Sequence, residues 1–151
     1  SRNAPMKSLS SETTFFEDTS DTDLLDGHIW RLAEKVSDRL KAKRIAGRVV
    51  VLKLKRADFT LISRRRSLED ATQLTDRIYR AAKAMFDQVP QGKPYRLLGV
   101  GVSDMVAEDH ADRSGNLLDP QEAARIKAER ASDEIRRKFG ADAIVKGRSL
   151  R

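Results

Sequence analysis

The stretch RVVVLKLKRADFTLISRRRSL (Arg48–Leu68) decides the fold. Its first half alternates: Val50, Leu52 and Leu54 fall on one side of an extended chain, and Val49, Val51, Lys53 and Lys55 on the other. That is a strand with one apolar face and one that turns cationic as it proceeds. RADF makes a short turn, and Asp58–Leu68 reads as the strand that pairs back in a hairpin. Phe59 and Leu61 share one parity. If they are buried, Arg64 and Arg66 point outward beside Lys53 and Lys55, and Arg65 points the opposite way. None of the three arginines helps to build a core, so the run asks for an anionic partner.

Helical periods flank the hairpin on both sides. Leu25, Ile29, Leu32, Val36 and Leu40 draw one apolar stripe, with Ser20 or Asp21 as the cap and Gly47 as the expected terminator. Gly27 weakens this helix and marks a possible later start. Leu74, Ile78, Ala81 or Ala82, and Met85 draw a second stripe, capped by Ser67 or Thr72 and ended by Pro90. Lys7–Phe15 alternates weakly as a first strand, and Tyr95–Met105 alternates as a last one. In that last strand Leu98, Val100 and Val102 oppose Leu97, Gly99, Gly101 and Ser103. The order is β-α-β-β-α-β, an α+β fold with a four-stranded sheet and two helices on one face. Right-handed crossovers are expected for both β-α-β connections.

After Met105 the chain becomes polar and turn-rich. A third helix follows, with Asp119 as its cap, Pro120 at its first position, a thin stripe of Ala124, Ala128, Ala131 and Ile135, and Gly140 as its stop. The organisation expected is therefore tether or vector-derived residues over 1–6, a domain over 7–105, a linker over 106–119, and a C-terminal helix and tail over 120–151. From the start SRNAP, without Met, an excised fragment is expected.

Composition narrows the function. The chain has 151 residues, 30 Lys and Arg against 23 Asp and Glu, and no cysteine. Thiolate catalysis, disulfides and cysteine-ligated zinc are excluded. No apolar run approaches the roughly 18 residues that span a bilayer, so neither a membrane partner nor a membrane location is expected; the location expected is cytoplasmic. Residues 41–66 carry ten basic groups against Asp58, whereas residues 1–26 are net acidic. The excess is thus concentrated on the hairpin, which suits nucleic acid. His28 and His110 have no metal-like spacing, no phosphate-binding glycine motif is present, and no catalytic constellation appears.

Lys53, Lys55, Arg64 and Arg66 gather on the uncovered face. Gly99 and Gly101 would let a phosphate backbone approach main-chain N–H groups there, and serines of the first strand would add short donors. Such a surface fits phosphates rather than base edges. The competing reading is a solvated charged face, or an edge strand protected by charge. An RNA-recognition motif shares the element order but needs stacking aromatics, where this chain offers valine, lysine, arginine and glycine.

Four segments resemble the little finger of Y-family DNA polymerases of the bacterial polymerase IV type. KSLSSETTF resembles the tether and first strand. The hairpin resembles the pattern I-T-R-S-R-T-L. YRLLGVGVSDM resembles R-[LI]-[LI]-G-V-x-[VLI]-S, and FGADAIVKGRSL resembles the family tail. The resemblance implies backbone contacts to primer–template DNA from Lys7, Ser8, Ser10, Ser11, Arg64, Arg66 and Arg96, which join Lys53, Lys55, Gly99 and Gly101 of the uncovered face and Ser67 at the close of the arginine run as the expected DNA-binding residues. Arg65 joins them, though it stands where the family often has Ser. It implies a non-catalytic fragment of an error-prone lesion-bypass polymerase, whose catalytic carboxylates and magnesium belong to the palm; no cofactor is expected in the fragment. It also implies docking on the catalytic core of the same polymerase and on the sliding clamp. For the clamp, GNLLDPQ offers Leu117 and Leu118 but lacks the leading Gln and closing aromatic of Q-L-x-L-F. A protein-interaction module is the alternative function.

Overall fold

The computed structural model describes residues 7–112 and the helix beginning at Pro120, with side chains to Phe139. Strands β1 (Ser8–Thr19), β2 (Ile45–Arg56), β3 (Leu61–Thr72) and β4 (Tyr95–Ala107) form one sheet in the order β1-β4-β2-β3, with helix α1 (Thr22–Lys43) following β1 and α2 (Thr75–Phe86) following β3. Every neighbouring pair is antiparallel. The α+β architecture read from the sequence is the one observed.

Both helices cover one face of the sheet because both apolar stripes need that face. Leu25, Ile29, Leu32, Val36 and Leu40 of α1, and Ile78, Ala82 and Met85 of α2, are buried against Val50, Leu52, Leu54, Leu98, Val100 and Val102. The Asp21 carboxylate caps α1, accepting from the N–H groups of Asp23 at 3.0 Å and Leu24 at 3.2 Å; a cap of this kind is worth about 1 kcal/mol. The Tyr79 hydroxyl of α2 donates to Asp26 of α1 at 2.6 Å. Burial first, and then that bond, push its pKa up to about 12.

Several expected boundaries move. Gly47 does not terminate α1, and Gly27 lies inside the helix rather than at its start. Arg44 ends α1 in the left-handed conformation, φ 58°, with its N–H directed to the carbonyls of Leu40 and Lys41. Gly47 belongs to β2, where a Cβ would stand 2.7 Å from Cβ of Val102. Neither Ser67 nor Thr72 is the N-cap of α2: Ser67 is in β3, which runs on past Leu68 to Thr72, and Leu74 is the cap. Thr72 still contributes, its Oγ1 accepting from Leu74 N–H at 3.0 Å. Helix α2 stops at Phe86, ahead of Pro90.

The expected linker start at residue 106 falls inside β4. The chain divides into one compact unit up to residue 114 and another from residue 115. Asp112 holds the end of the first. Its carboxylate accepts from Thr72 Oγ1 at 2.6 Å, Gln73 N–H at 3.2 Å and Arg77 Nη1 at 3.1 Å, with both charged side chains nearly buried. Helix α3 (Pro120–Ser149) begins at Pro120 as expected but passes through Gly140, and the small-residue stripe expected on it is exposed at Ala124, Ala128, Ala131 and Ile135. Its arginines instead pair along the helix, Arg136 with Asp133 and Arg137 with Glu134. Asp119 lies outside the described residues.

Removing one member of a buried pair costs about 3–5 kcal/mol. Asp112→Ala should lower the stability of the first unit by that order in a urea melt, whereas Glu134→Ala, on an exposed helix pair, should change it little.

Candidate nucleic-acid interface

Cross-strand partners in a sheet share a face, so the register fixes what the uncovered side presents. Four rows cross it from β1 through β4 and β2 to β3. They are Ser8–Ser103–Val49–Ser67, Ser10–Gly101–Val51–Arg65, Glu12–Gly99–Lys53–Ser63 and Thr14–Leu97–Lys55–Leu61. The middle two rows enclose an open depression of about 260 Å³, lined by Ser8, Ser10, Glu12, Lys53, Arg65, Gly99, Gly101 and Ser103 among others.

The arginine parity is the reverse of the sequence expectation. Arg65 shares the uncovered face with Lys53. Arg64 pairs with Leu52 and Arg66 with Val50, so both point to the helix side of β3. They remain exposed because β3 is the sheet's edge. Phe59 and Leu61, expected to be buried, are 61% and 62% exposed, and Ile62 is the buried residue of the segment. The reason lies in the turn: Phe59 takes the left-handed conformation, φ 70°, closing Arg56–Thr60 with its N–H bonded to the Arg56 carbonyl at 2.8 Å. Leu61 then starts β3 on the uncovered face, opposite Lys55. A left-handed non-glycine residue costs roughly 1–2 kcal/mol. Here Arg96 stacks on the Phe59 ring at 4.4 Å and Lys55 approaches it at 5.8 Å.

The other expected site residues separate into three groups. Ser8, Ser10, Lys53, Lys55, Ser67, Gly99 and Gly101 lie on the uncovered face, and Lys7 is exposed just ahead of β1. Ser11 pairs with Val100 and so points to the helix side. Arg96 is committed to Phe59 and, through Nε, to Asp18 at 3.3 Å. By contrast, Lys53, Arg65 and Arg66 have no acidic partner among the described residues, and Arg64 donates only to the neighbouring Ser63 carbonyl. Leu117 and Leu118 lie outside the described residues.

The glycines do not serve phosphate approach to main-chain N–H groups as expected. Strand β4 is central, with β1 on one edge and β2 on the other, so its amides are consumed in the ladders. Gly101 is needed for closeness within the sheet: a Cβ there would stand 2.8 Å from Cβ of Ser10 and 3.1 Å from the Leu9 carbonyl. At Gly99 the nearest atoms are 3.4 Å away or more. The pair forms a flat floor with Lys53 and Arg65 as one wall. Sequence reasoning passed over Glu12, which stands on the opposite wall; its parity with Ser8 and Ser10 was the available signal.

Among the described residues, no group of three or more His, Asp or Glu is placed to hold a metal, and no helix is long and apolar enough to cross a membrane. The arrangement can instead hold a row of anionic oxygens by charge and by short hydroxyl donors.

Comparison with known proteins gives consistent matches. The sequence model of the impB/mucB/samB family C-terminal domain matches residues 6–117. A curated DNA polymerase IV of Brucella melitensis is 49% identical over 94% of this chain and 32% of its own length. This chain spans about a third of the length of the curated relatives it matches. An insertion ternary complex of Dbh DNA polymerase superimposes with a TM-score of 0.59 at 11% identity, covering 66% of this chain and 29% of that one. A complex of the beta-clamp processivity factor and the little finger domain of polymerase IV superimposes with a TM-score of 0.54 at 22% identity, covering 64% of this chain and 86% of that one. These two likenesses speak for the fold.

The two glycines predict opposite outcomes. Gly101→Ala overpacks the β1–β4 seam and should destabilise by about 1–3 kcal/mol. Gly99→Ala meets only ordinary contacts and should stay within about 0.5 kcal/mol of wild type. Thermal melts of the two variants check this directly.

Proposed function

We propose a function from one premise: the chain belongs to the impB/mucB/samB family, as its C-terminal domain. It is the non-catalytic, DNA-gripping part of an error-prone lesion-bypass DNA polymerase, holding primer–template duplex behind the active site through backbone phosphates. The observation that carries this reading is the cationic wall of Lys53 and Arg65, without acidic partners, beside the Gly99–Gly101 floor on the face that the helices leave uncovered. Arg64 and Arg66 extend the positive charge around the rim of the edge strand. Ser8, Ser10, Ser63 and Ser67 add hydroxyl donors on the uncovered face.

Catalysis and its magnesium belong, in this reading, to the catalytic core of the same polymerase, on which the domain also docks. This chain's residues bind and orient the duplex and carry out no bond-breaking step. A second reading accompanies the first. The likeness to a little finger solved with the beta clamp supports clamp docking by this chain, with Leu117 and Leu118 as its anchors. The cytoplasm is the compartment where such a partner and substrate meet.

Phosphate binding of this kind follows the counterion-release law, in which log K falls by about 0.9 per neutralised phosphate per log unit of salt. With Lys53, Arg64, Arg65 and Arg66 engaged, the slope for a labelled duplex should lie at roughly −3 to −4. Lys53→Ala combined with Arg65→Ala should reduce it by about 2 on the same rule. Anisotropy titrations at several salt concentrations measure both. A slope near zero for the wild-type chain would defeat the assignment.

A further inference from the structure

Among the described positions of the uncovered face, the four rows carry one carboxylate, Glu12, against Lys53, Lys55 and Arg65. Its placement is central. Glu12 and Lys53 flank Gly99 on neighbouring strands, and a Cβ on Gly99 would stand 3.4 Å from Cβ of Glu12 and 3.6 Å from Cβ of Lys53. Both side chains line the 260 Å³ depression whose floor is glycine. Glu12 is exposed and has no ion-pair or hydrogen-bond partner among the described residues. A carboxylate recruited for stability would be paired or would cap a helix; this one does neither. It therefore meets whatever enters the depression.

We propose that Glu12 is an electrostatic brake on DNA binding. Resting on the phosphate-gripping reading above, it faces a phosphate path drawn toward Lys53 and Arg65 and opposes it from the β1 wall. Its effect is to weaken the grip and hasten release. A domain that holds DNA only by its backbone must let go and re-engage each time the duplex advances. Every contact that tightens the grip raises that barrier, and a repulsive charge inside the contact lowers it. A carboxylate about 7 Å from a phosphate, in water-like dielectric and at an ionic strength low enough that screening is weak, changes affinity by about threefold.

The test is binding and dissociation of a labelled duplex, by anisotropy and stopped flow, for the wild-type chain, Glu12→Gln, Glu12→Asp and Lys53→Ala/Arg65→Ala. At about 10 mM ionic strength the brake predicts that Glu12→Gln binds about threefold tighter, mainly through slower dissociation and equally on unrelated duplex sequences, while Glu12→Asp keeps wild-type affinity within about twofold. If Glu12→Gln binds equally or more weakly, or if Glu12→Asp tightens as much as Glu12→Gln, the brake is wrong. The gripping reading nevertheless stands as long as wild-type binding is salt-dependent and Lys53→Ala/Arg65→Ala weakens it. A wild-type chain whose binding ignores salt overturns both.

Discussion

The pairing of β2 with β4 is the constraint on which the rest depends. In that register Val50 meets Val102, Leu52 meets Val100 and Leu54 meets Leu98, so the large apolar residues of both central strands fall on the same face. Burial of a side chain of this size is worth about 1.5–3 kcal/mol, and all six are essentially inaccessible. A slip of one residue would bury Lys53 and expose Leu52. Once the apolar face is fixed, α1 and α2 can pack only there, and the opposite face is left with Gly99, Gly101, Lys53 and Arg65. The proposed binding surface is thus the complement of the core, and the same period of two dictates both.

Where that period was unbroken, the sequence was legible. The stripes of α1 and α2, the two faces of β2 and β4, the hairpin and the element order all followed from spacing, because burial is a strong and repeated signal along each. It failed where a single residue broke the pattern. Phe59 occupies a left-handed turn position usually given to glycine or asparagine, so it looked like a strand residue and set the wrong parity for all three arginines. An arginine run carries no parity of its own; only its partners across the ladder, Val50, Val51 and Leu52, decide which way each points. Arg44 likewise ends α1 in a conformation that its identity does not advertise, whereas Gly47 carries a stop signal without being the stop. The Asp112 cluster joins residues some 40 positions apart, a separation at which no local pattern survives.

The corrected parity gives the arginines distinct places. Arg65 stands over the glycine floor with Lys53, while Arg64 and Arg66 stand off the other side of the same edge strand. Three adjacent cations without acidic partners repel one another, and an edge strand can tolerate that because charge there also discourages pairing with another sheet. A polyanion relieves the repulsion along both sides of the strand at once. Arg96 differs from them: bound to Asp18 and stacked on Phe59, it holds the end of β1 and the hairpin turn against β4.

The central claim is that duplex DNA lies on the uncovered face of the sheet. Amide chemical-shift mapping during titration with a short duplex tests it most directly. The account predicts that the largest shifts fall on Ser10, Lys53, Arg65, Gly99 and Gly101, with Trp30 and Tyr79 on the helix side left nearly unmoved. Shifts concentrated on α1 and α2, with those five amides unchanged, would contradict it.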